Sequence, residues 1–172
     1  MDNQQTTNEL SWLAGFIEAD GSLQMMVQMK ANEQIKLTPL ITAVGCEIEL
    51  IDRCAFILQT RCGVNPHRGS FSQGGNKRVA YRFTVSKQAT CVRTLEKLKP
   101  FLYGRKGEIA TLILEFCQSR FIQPRKGWQG GKPYTKRELE IAQRVIQLNS
   151  VGVSETTRKS VERVSKTLAQ MI

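Results

Sequence analysis

The sequence predicts an α+β domain of the ααββαββα type, with further helices toward the C-terminus. Segments in which apolar residues recur at helical spacing are separated by pairs of segments in which apolar and polar residues alternate. Turns containing glycine or asparagine join the members of each pair, as in β-hairpins. Because 172 residues suffice for one hydrophobic core, we interpret 1–172 as a single domain, with its core at 8–121 and a C-terminal helical part at 135–172.

A first helix is predicted from Asn8 to Ala19, ended by Gly21. One stripe of this helix is apolar and consists of Leu10, Leu13, Phe16 and Ile17. A second face carries Trp12 and the small residues Gly15 and Ala19. The helix is therefore expected to have two packing surfaces.

The segment after Gly21 alternates as a strand, and a second alternating run follows the turn near Asn32. The apolar side of the first strand consists of Leu23, Met25, Val27 and Met29. The apolar side of the second strand consists of Ile35, Leu37, Ile41 and Ala43. Pro39 has no backbone N–H to donate to a strand ladder, so it indicates a sheet edge or a bulge.

Further along the chain, helical and alternating segments continue to take turns. They are predicted, in order, as a helix at 47–60, strands at about 64–71 and 78–85, helices at 87–98 and 107–121, a loop at 122–134, and helices at 135–148 and 154–171. One face of the fourth strand is expected to carry Val79, Tyr81, Phe83 and Val85. Thr135 and Glu138 have the spacing of a capping box, which places the start of the fifth helix.

The charge of the chain favours a polyanionic partner. Lys and Arg number 25 and Asp and Glu 15, which gives a formal net charge of +10, and the pI is about 9.7. Nucleic acid is the first candidate and an anionic membrane surface the second. No apolar run approaches the ~20 residues of a membrane span, and residues 1–9 lack the basic start of a signal peptide. We therefore expect a soluble protein without a membrane partner.

The cysteines, 5 in all, are an odd number and never form a Cys-x-x-Cys pair, so reduced and mostly buried thiols are expected. The only histidine, His67, follows Cys62 closely. No pairing in the chain has the spacing of a structural zinc site, so zinc is not expected.

The stretch Leu13–Gly21, LAGFIEADG, resembles the signature of the LAGLIDADG homing endonucleases and differs from it at Phe16 and Glu18. The resemblance extends over most of the chain and is strongest before residue 121. It implies that the motif helix leads into a four-stranded antiparallel sheet, a saddle that faces double-stranded DNA. It further implies a homodimeric, magnesium-dependent endonuclease that cuts both strands of one long, nearly palindromic site and leaves short 3′ overhangs.

The biology implied by the resemblance is that of an intron-encoded enzyme that spreads its own intron. The lack of a targeting segment suits synthesis inside an organelle, with a chloroplast favoured over a mitochondrion and an archaeal cytoplasm left open. Two alternatives remain open: an RNA maturase or other non-cleaving DNA- or RNA-binding protein on the same fold, and a basic structural protein such as a ribosomal component. The retained Asp20, together with the basic residues 105 and 106, counts against the maturase.

The small residues of the motif helix predict a tight helix crossing. Gly15 and Ala19 are four residues apart, so they lie on one helix face and let another backbone approach closely. That face requires a second motif helix, and the chain has one motif. We therefore expect a homodimer about a two-fold axis. The expected interface consists of Trp12, Gly15, Phe16 and Ala19. The alternative is that Gly15 and Ala19 pack against the chain's own sheet.

Asp20 ends the motif helix, where two copies would meet on the dimer axis. Two carboxylates at that distance repel each other unless divalent cations lie between them. Oxygen donors suit magnesium, so we expect Mg²⁺ bound by Asp20 and Ala19, with backbone carbonyls, waters and scissile phosphates completing the shell. Mn²⁺ is expected to substitute, Ca²⁺ to support binding without cleavage, and no small-molecule cofactor is expected. Glu18 points to a different side of the helix and is not expected to be a ligand.

Two further catalytic positions are implied by the resemblance alone. Glu47 falls where single-motif chloroplast members of the family keep a polar residue that holds active-site water; alternatively, it is a first-turn acid favoured by the helix dipole. The stretch Pro100–Leu102, with Lys106 and Ala110 after it, resembles the region of the family's active-site lysine. Lys106 is therefore the candidate and Arg105 the close alternative. A basic side chain there would offset charge on the phosphorane or organise water; the alternative is a solvated loop charge.

The open faces of the four strands are expected to read DNA in the major groove, where Gln pairs with adenine and Arg with guanine. The residues expected on these faces are Gln24, Met26, Gln28, Lys30, Thr38, Leu40, Thr42, Val44, His67, Arg68, Ser70, Arg78, Arg82 and Thr84. A shift of one residue in the register of a strand would turn its listed residues to the covered face and their neighbours to the open face. In the last helix, Arg158 and Lys159 resemble a phosphate-contacting segment of related chains, with solvated charges as the alternative.

Overall fold

The structure is a computed structural model that describes residues 3–29, 35–72, 79–122, 133–150 and 155–169. Its elements are α1 (Asn3–Asp20), β1 (Gly21–Met29), β2 (Ile35–Gly45), α2 (Ile48–Cys62), β3 (His67–Ser72), β4 (Val79–Val85), α3 (Gln88–Leu98), a short 3-10 helix (Lys99–Phe101), α4 (Gly104–Ile122), α5 (Lys136–Asn149) and α6 (Glu155–Ala169). The predicted α+β class is confirmed, as is the order helix, hairpin, helix, hairpin, helix followed by C-terminal helices.

The four strands form one antiparallel sheet in the order β1-β2-β4-β3. Alternate residues of β2 are buried from Ile35 to Ala43, so one face of the sheet is covered and the other is open. Helices α1 to α5 contact the sheet, and α6 packs on α5. One continuous hydrophobic core joins the covered face to the helices and extends to Leu168 of α6. None of the helices in the described ranges is both long and apolar enough to cross a membrane.

Pro39 lies on a local edge of the sheet. The β1–β2 register runs without a slip from Gly21 opposite Ala43 to Met29 opposite Ile35, so the alternative of a bulge is wrong. Pairing of β2 with β4 begins only at Ile41, which leaves one side of β2 free before that point. Leu37 donates its N–H to the Tyr134 hydroxyl at 2.8 Å, and Pro39, two residues on, directs its nitrogen to the same side. A proline therefore breaks no ladder hydrogen bond here.

Two predicted boundaries move for local reasons. Helix α1 begins at Asn3 rather than Asn8, because its first turns are polar and show no apolar stripe that would mark them as helix in the sequence. Strand β3 begins at His67 rather than near Val64. Val64 instead donates its N–H to Leu58 O at 3.0 Å and is buried behind the end of α2, a C-terminal cap of the kind that a left-handed glycine completes.

The later elements follow the prediction closely. On β4, Phe83 and Val85 are buried on the covered face, whereas Val79 keeps 45% of its surface exposed at the outer end of the hairpin. The capping box at Thr135 and Glu138 is confirmed in both directions. All five cysteines are free thiols, four of them buried, and burial raises the pKa of Cys54 and of Cys117 to about 12. These thiols therefore stay protonated at neutral pH.

Candidate active site and nucleic-acid interface

Asp20 and Gly21 lie where α1 passes directly into β1. Asp20 is the last residue of the helix and is exposed, and Gly21 is the first residue of the strand. A Cβ atom on Gly21 would lie 2.7 Å from both the Cα and the carbonyl oxygen of Ile17. Since both of those atoms belong to backbone, only glycine fits there. This close approach fixes the direction in which the chain leaves α1, and with it the position of the Asp20 carboxylate.

Lys106, in the first turns of α4, reaches the end of α1. Its Nζ donates hydrogen bonds to the carbonyl oxygens of Ile17 at 2.5 Å, Glu18 at 2.6 Å and Gly21 at 3.0 Å. The last carbonyls of a helix lack intrahelical partners and carry partial negative charge, so they suit a cation. Burial lowers the pKa of Lys106, as does the nearby Arg105, while Glu18 and Asp20 act in the opposite direction.

The structure therefore distinguishes the two basic residues that the sequence left as alternatives. Lys106 is half-buried against the end of α1, whereas the Arg105 side chain is exposed. Lys106 therefore contacts the end of α1 beside Asp20 and stays the candidate for the active-site lysine. Its chemical role stays a prediction.

The Glu18 side chain forms a second link between the last turn of α1 and the segment that precedes α4. Its Oε1 accepts a hydrogen bond from the backbone N–H of Tyr103 at 3.1 Å. The last turn of α1 is thus connected to the start of α4 both through a carboxylate and through Lys106. Glu18 Oε1 is thus engaged in a contact within the chain.

Glu47 lies at the same end of the sheet as Asp20. It occupies the N-cap of α2 just after β2 ends, and Ala43 of β2 pairs with Gly21 at the start of β1. Its side chain is exposed and makes no capping hydrogen bond. Both interpretations from the sequence, a polar active-site residue and an acid favoured by the dipole of α2, are compatible with this position.

The small residues of α1 face away from the core. Leu10, Leu13, Ala14 and Ile17 are buried, whereas Gly15 and Ala19 are exposed on the opposite side. A Cβ atom on Gly15 would meet nothing within 4 Å. The alternative in which these residues pack against the chain's own sheet is therefore wrong.

Trp12 and Phe16, the other two residues predicted for the interface, already have partners within the chain. Their rings stack with centroids 5.8 Å apart and planes 2° from parallel. The guanidinium of Arg53 on α2 lies 4.1 Å from the centre of the Trp12 ring, a distance at which a cation is attracted to the ring. Both aromatic residues are half-buried and pack against the core.

The open face of the sheet carries polar and basic side chains without acidic ones. The four described strands contain no Asp or Glu. Strand register and alternation confirm the predicted open-face position of Gln24, Met26, Gln28, Thr38, Leu40, Thr42, Val44, His67, Arg82 and Thr84. Two of these are engaged within the chain: Gln24 Nε2 donates to Ser22 Oγ at 2.7 Å, and Thr42 Oγ1 donates to Phe83 O at 2.8 Å.

The face prediction is wrong for Arg68 and Ser70. They pair with Phe83 and Tyr81, which belong to the covered side of β4. Arg68 Nη1 accordingly donates to Asp52 Oδ1 on α2 at 2.7 Å. Successive side chains of a strand point to opposite faces, so His67 and Arg68 cannot share one, and the register selects His67.

Lys36 and Phe71 also lie on the open face, although neither was among the residues expected to read DNA. Lys36 is exposed and lies opposite Gln28; the alternation of β2 signals it. Phe71 lies on the same face as Arg82, whose guanidinium is 5.7 Å from the centre of its ring. The sequence does not predict that Phe71 lies on the open face, because the short, polar segment of β3 has no apolar alternation that fixes its register.

Four predicted DNA contacts are not described by the structure. Lys30 and Arg78 lie outside the described residues. Arg158 and Lys159 belong to the helical backbone of α6, but their side chains fall outside the described part.

The donor set at the end of α1 fits a hard divalent cation. Asp20 offers an exposed carboxylate, and the Ala19 carbonyl is not among the three that Lys106 binds. Oxygen ligands of this kind suit Mg²⁺. Within the described ranges, no three His, Cys, Asp or Glu side chains of one chain cluster around a common point.

Comparison with solved structures identifies the fold. The homing endonuclease I-CvuI, solved with its target in the presence of calcium, is 21% identical with a TM-score of 0.62, and the match covers 97% of this chain and 98% of that one. The archaeal intron-encoded homing endonuclease I-Vdi141I, solved with DNA, is 15% identical with a TM-score of 0.64, covering 95% and 96%. The LAGLIDADG homing endonuclease I-GzeII, in complex with its DNA target, is 12% identical with a TM-score of 0.55, covering 90% and 49%. No protein-family model and no curated protein sequence matches the chain. The chain has the LAGLIDADG homing endonuclease fold, as the sequence predicted.

Proposed function

We propose that this chain is a homodimeric, magnesium-dependent endonuclease that cleaves both strands of one long, nearly palindromic DNA site. The observation that carries the proposal is the position of Asp20. Its carboxylate is exposed at the end of a helix whose outer face is Gly15 and Ala19, and the residue after it begins an acid-free sheet face. Interface, carboxylate and DNA-facing surface thus meet at one point.

The exposed glycine of α1 supports the dimer. Glycine in the interior of a helix destabilises it by about 1 kcal/mol relative to alanine, and Gly15 has open space beside it in the single chain. Close approach of a second backbone explains why no side chain occupies that space. The second helix comes from a second copy, which brings two Asp20 carboxylates together near a two-fold axis. The match to about half (49%) of I-GzeII leaves room in that longer chain for a second unit of this size.

The chemistry follows from the oxygen donors at this axis. Asp20 and Ala19 would hold Mg²⁺, with Mn²⁺ as a substitute and Ca²⁺ as an ion that supports binding without cleavage. When bound, magnesium supplies a Lewis acid that activates water and stabilises the leaving 3′ oxygen. The two Asp20 carboxylates would hold the cations, whose positive charge would offset the repulsion between two carboxylates brought close together. Glu47, at the same end of the sheet, would orient active-site water.

DNA recognition is assigned to the open face of the sheet. Strand β1 has 9 residues, which at ~3.4 Å each span about 30 Å, or about nine base pairs at ~3.4 Å rise. Two copies then cover a site of roughly 18 to 20 base pairs. Gln24, Gln28 and Arg82 have the donors and acceptors for bidentate contacts with adenine and guanine. The structures of I-CvuI and I-Vdi141I, with nearly the whole chain matched, are complexes with DNA.

The test is Asp20→Asn, assayed for binding and cleavage separately. The amide keeps the size of the side chain but is a much poorer ligand for a hard dication. We expect gel-shift binding with calcium or chelator to be unchanged, and cleavage of selected target DNA with magnesium to be nearly lost. Cleavage within about tenfold of wild type, equal to only ~1.4 kcal/mol of barrier, would show that Asp20 is not an essential ligand. A wild-type protein that binds DNA without cutting it would favour the non-cleaving alternative.

A further inference from the structure

The Lys106 ammonium group is fully committed to the backbone of α1 and the start of β1. Three carbonyl oxygens lie within 3.0 Å of its Nζ: those of Ile17, Glu18 and Gly21. An ammonium has three N–H donors and no acceptor, so these three contacts use all of its hydrogen-bonding capacity. In this arrangement no proton remains for a phosphate oxygen or for an attacking water.

The three carbonyls bracket the two residues assigned to the metal. Ala19 and Asp20 lie between Glu18 and Gly21 in the chain, and Lys106 binds on both sides of them while leaving the Ala19 carbonyl aside. The end of a helix frays easily because its last carbonyls have no intrahelical partners. The Lys106 ammonium group, bound to carbonyls on both sides of Ala19 and Asp20, opposes that fraying at the two residues proposed to hold the metal.

We propose that Lys106 is a positioning residue, whose ammonium group joins the last turn of α1 to the start of β1 and thereby sets the direction of the Asp20 carboxylate and the Ala19 carbonyl. The inference rests on the proposed function for the role of the metal, and on contacts within the chain for the role of the lysine. It differs from the role implied by the family resemblance, in which the basic side chain acts on the phosphorane or on water. Lys106 acts instead through the residues that hold Mg²⁺.

The first experiment needs neither DNA nor metal and therefore succeeds or fails independently of the proposed function. In wild-type protein labelled with ¹³C and ¹⁵N, the Lys106 ammonium should give a slowly exchanging ¹H–¹⁵N signal with scalar couplings across hydrogen bonds to the carbonyl carbons of Ile17, Glu18 and Gly21. Lys97, exposed on α3, is the matched control and should exchange fast. A Lys106 signal that exchanges as fast as that of Lys97, without couplings, would overturn the proposal.

The second experiment separates positioning from direct action on the reacting atoms. In Lys106→Met, the Mg²⁺ concentration for half-maximal cleavage should rise by about 10- to 100-fold, the range seen when an outer-shell partner of a metal ligand is lost. Excess Mg²⁺ should restore most of the maximal rate, and Lys97→Met should match wild type in both quantities. The opposite split, with an unchanged Mg²⁺ requirement and a lost maximal rate, would show that Lys106 acts on phosphate or water. Lys106→Gln, which keeps one donor group, should give an intermediate Mg²⁺ requirement and serves if the methionine variant does not fold.

Discussion

Replacing Gly15 by alanine should have opposite effects on the single chain and on the dimer. Gly15 lies in the interior of α1, is exposed, and has nothing within 4 Å of the position of a Cβ atom. In the folded single chain, Gly15→Ala should therefore stabilise α1 by about 1 kcal/mol through helix propensity. If the face were ordinary solvent-exposed surface, this gain would be the whole effect.

The dimer should lose more than the helix gains. In the proposed dimer each added methyl would enter a backbone contact, and overpacking of that kind destabilises by about 1–3 kcal/mol per site. The two-fold axis doubles the effect to about 2–6 kcal/mol per dimer, which weakens the dissociation constant by roughly 30-fold to 10⁴-fold. The propensity gain is present in folded monomer and dimer alike, so it cancels in association. Gly15→Leu should prevent the dimer altogether, and with it DNA binding and cleavage.

Sedimentation equilibrium over a range of protein concentrations measures the association, and urea unfolding of dilute protein measures the stability of the chain. Gln59→Ala, at an exposed position of α2, is the control for helix substitutions in general and should leave association unchanged. A Gly15→Ala variant that gains about 1 kcal/mol and associates as wild type does would refute the interface. A wild-type chain that sediments as a 19.4 kDa monomer at every concentration at which it binds DNA would refute it equally.

Two further predictions concern single positions. Gly21→Ala places a Cβ atom 2.7 Å from the backbone of Ile17 and should lower the free energy of unfolding by about 1–3 kcal/mol, measured by urea unfolding. Gly69→Ala, which meets nothing nearer than 3.9 Å, should change it much less, and equal losses would contradict the close approach at Gly21. Arg82→Ala should relax the preference for cognate over scrambled DNA and reduce the salt dependence of binding. Arg68→Ala, facing Asp52 on the covered side, should leave both quantities unchanged; equal effects of the two variants in salt-dependent binding assays would mean that the β3 register is wrong.

The parts of the fold that the sequence predicts are those with strong local periodicity. Strands β1 and β2 alternate over nine and eleven residues, long enough for the pattern to fix which side is covered. The capping box that opens α5 depends on Thr135 and Glu138 alone, and such local chemistry is visible in any sequence. In the candidate site, the position of Asp20 at the end of α1 follows directly from the motif.

What the sequence does not predict depends on contacts between distant segments. Strand β3 has six residues, with neither face consistently apolar, so only its pairing with β4 decides that His67 and not Arg68 is on the open face. The three contacts of Lys106 join residues more than 80 positions apart, and no spacing rule indicates them. The polar first turns of α1 carry no apolar signal, and hydrogen bonds such as that of Thr7 to the Asn3 carbonyl form only once the helix has formed.

In the proposed endonuclease, the direct junction of α1 and β1 would place the metal-binding carboxylate beside the surface that reads the bases. Ser22, the first open-face residue of β1, is two residues beyond Asp20 and pairs with Thr42, so no loop separates the carboxylate from the open face of the sheet. The backbone next to Asp20 is fixed by the pairing of Gly21 with Ala43 and by the close approach of Gly21 to Ile17. Side chains farther along β1 and β2, such as Gln28 and Lys36, point from the same rigid sheet without taking part in that junction. In the proposed enzyme, substitutions there should therefore change which sequence is bound while leaving the rate of cleavage on the best-bound sequence unchanged, because Asp20 at the junction, and not these side chains, would hold the metal.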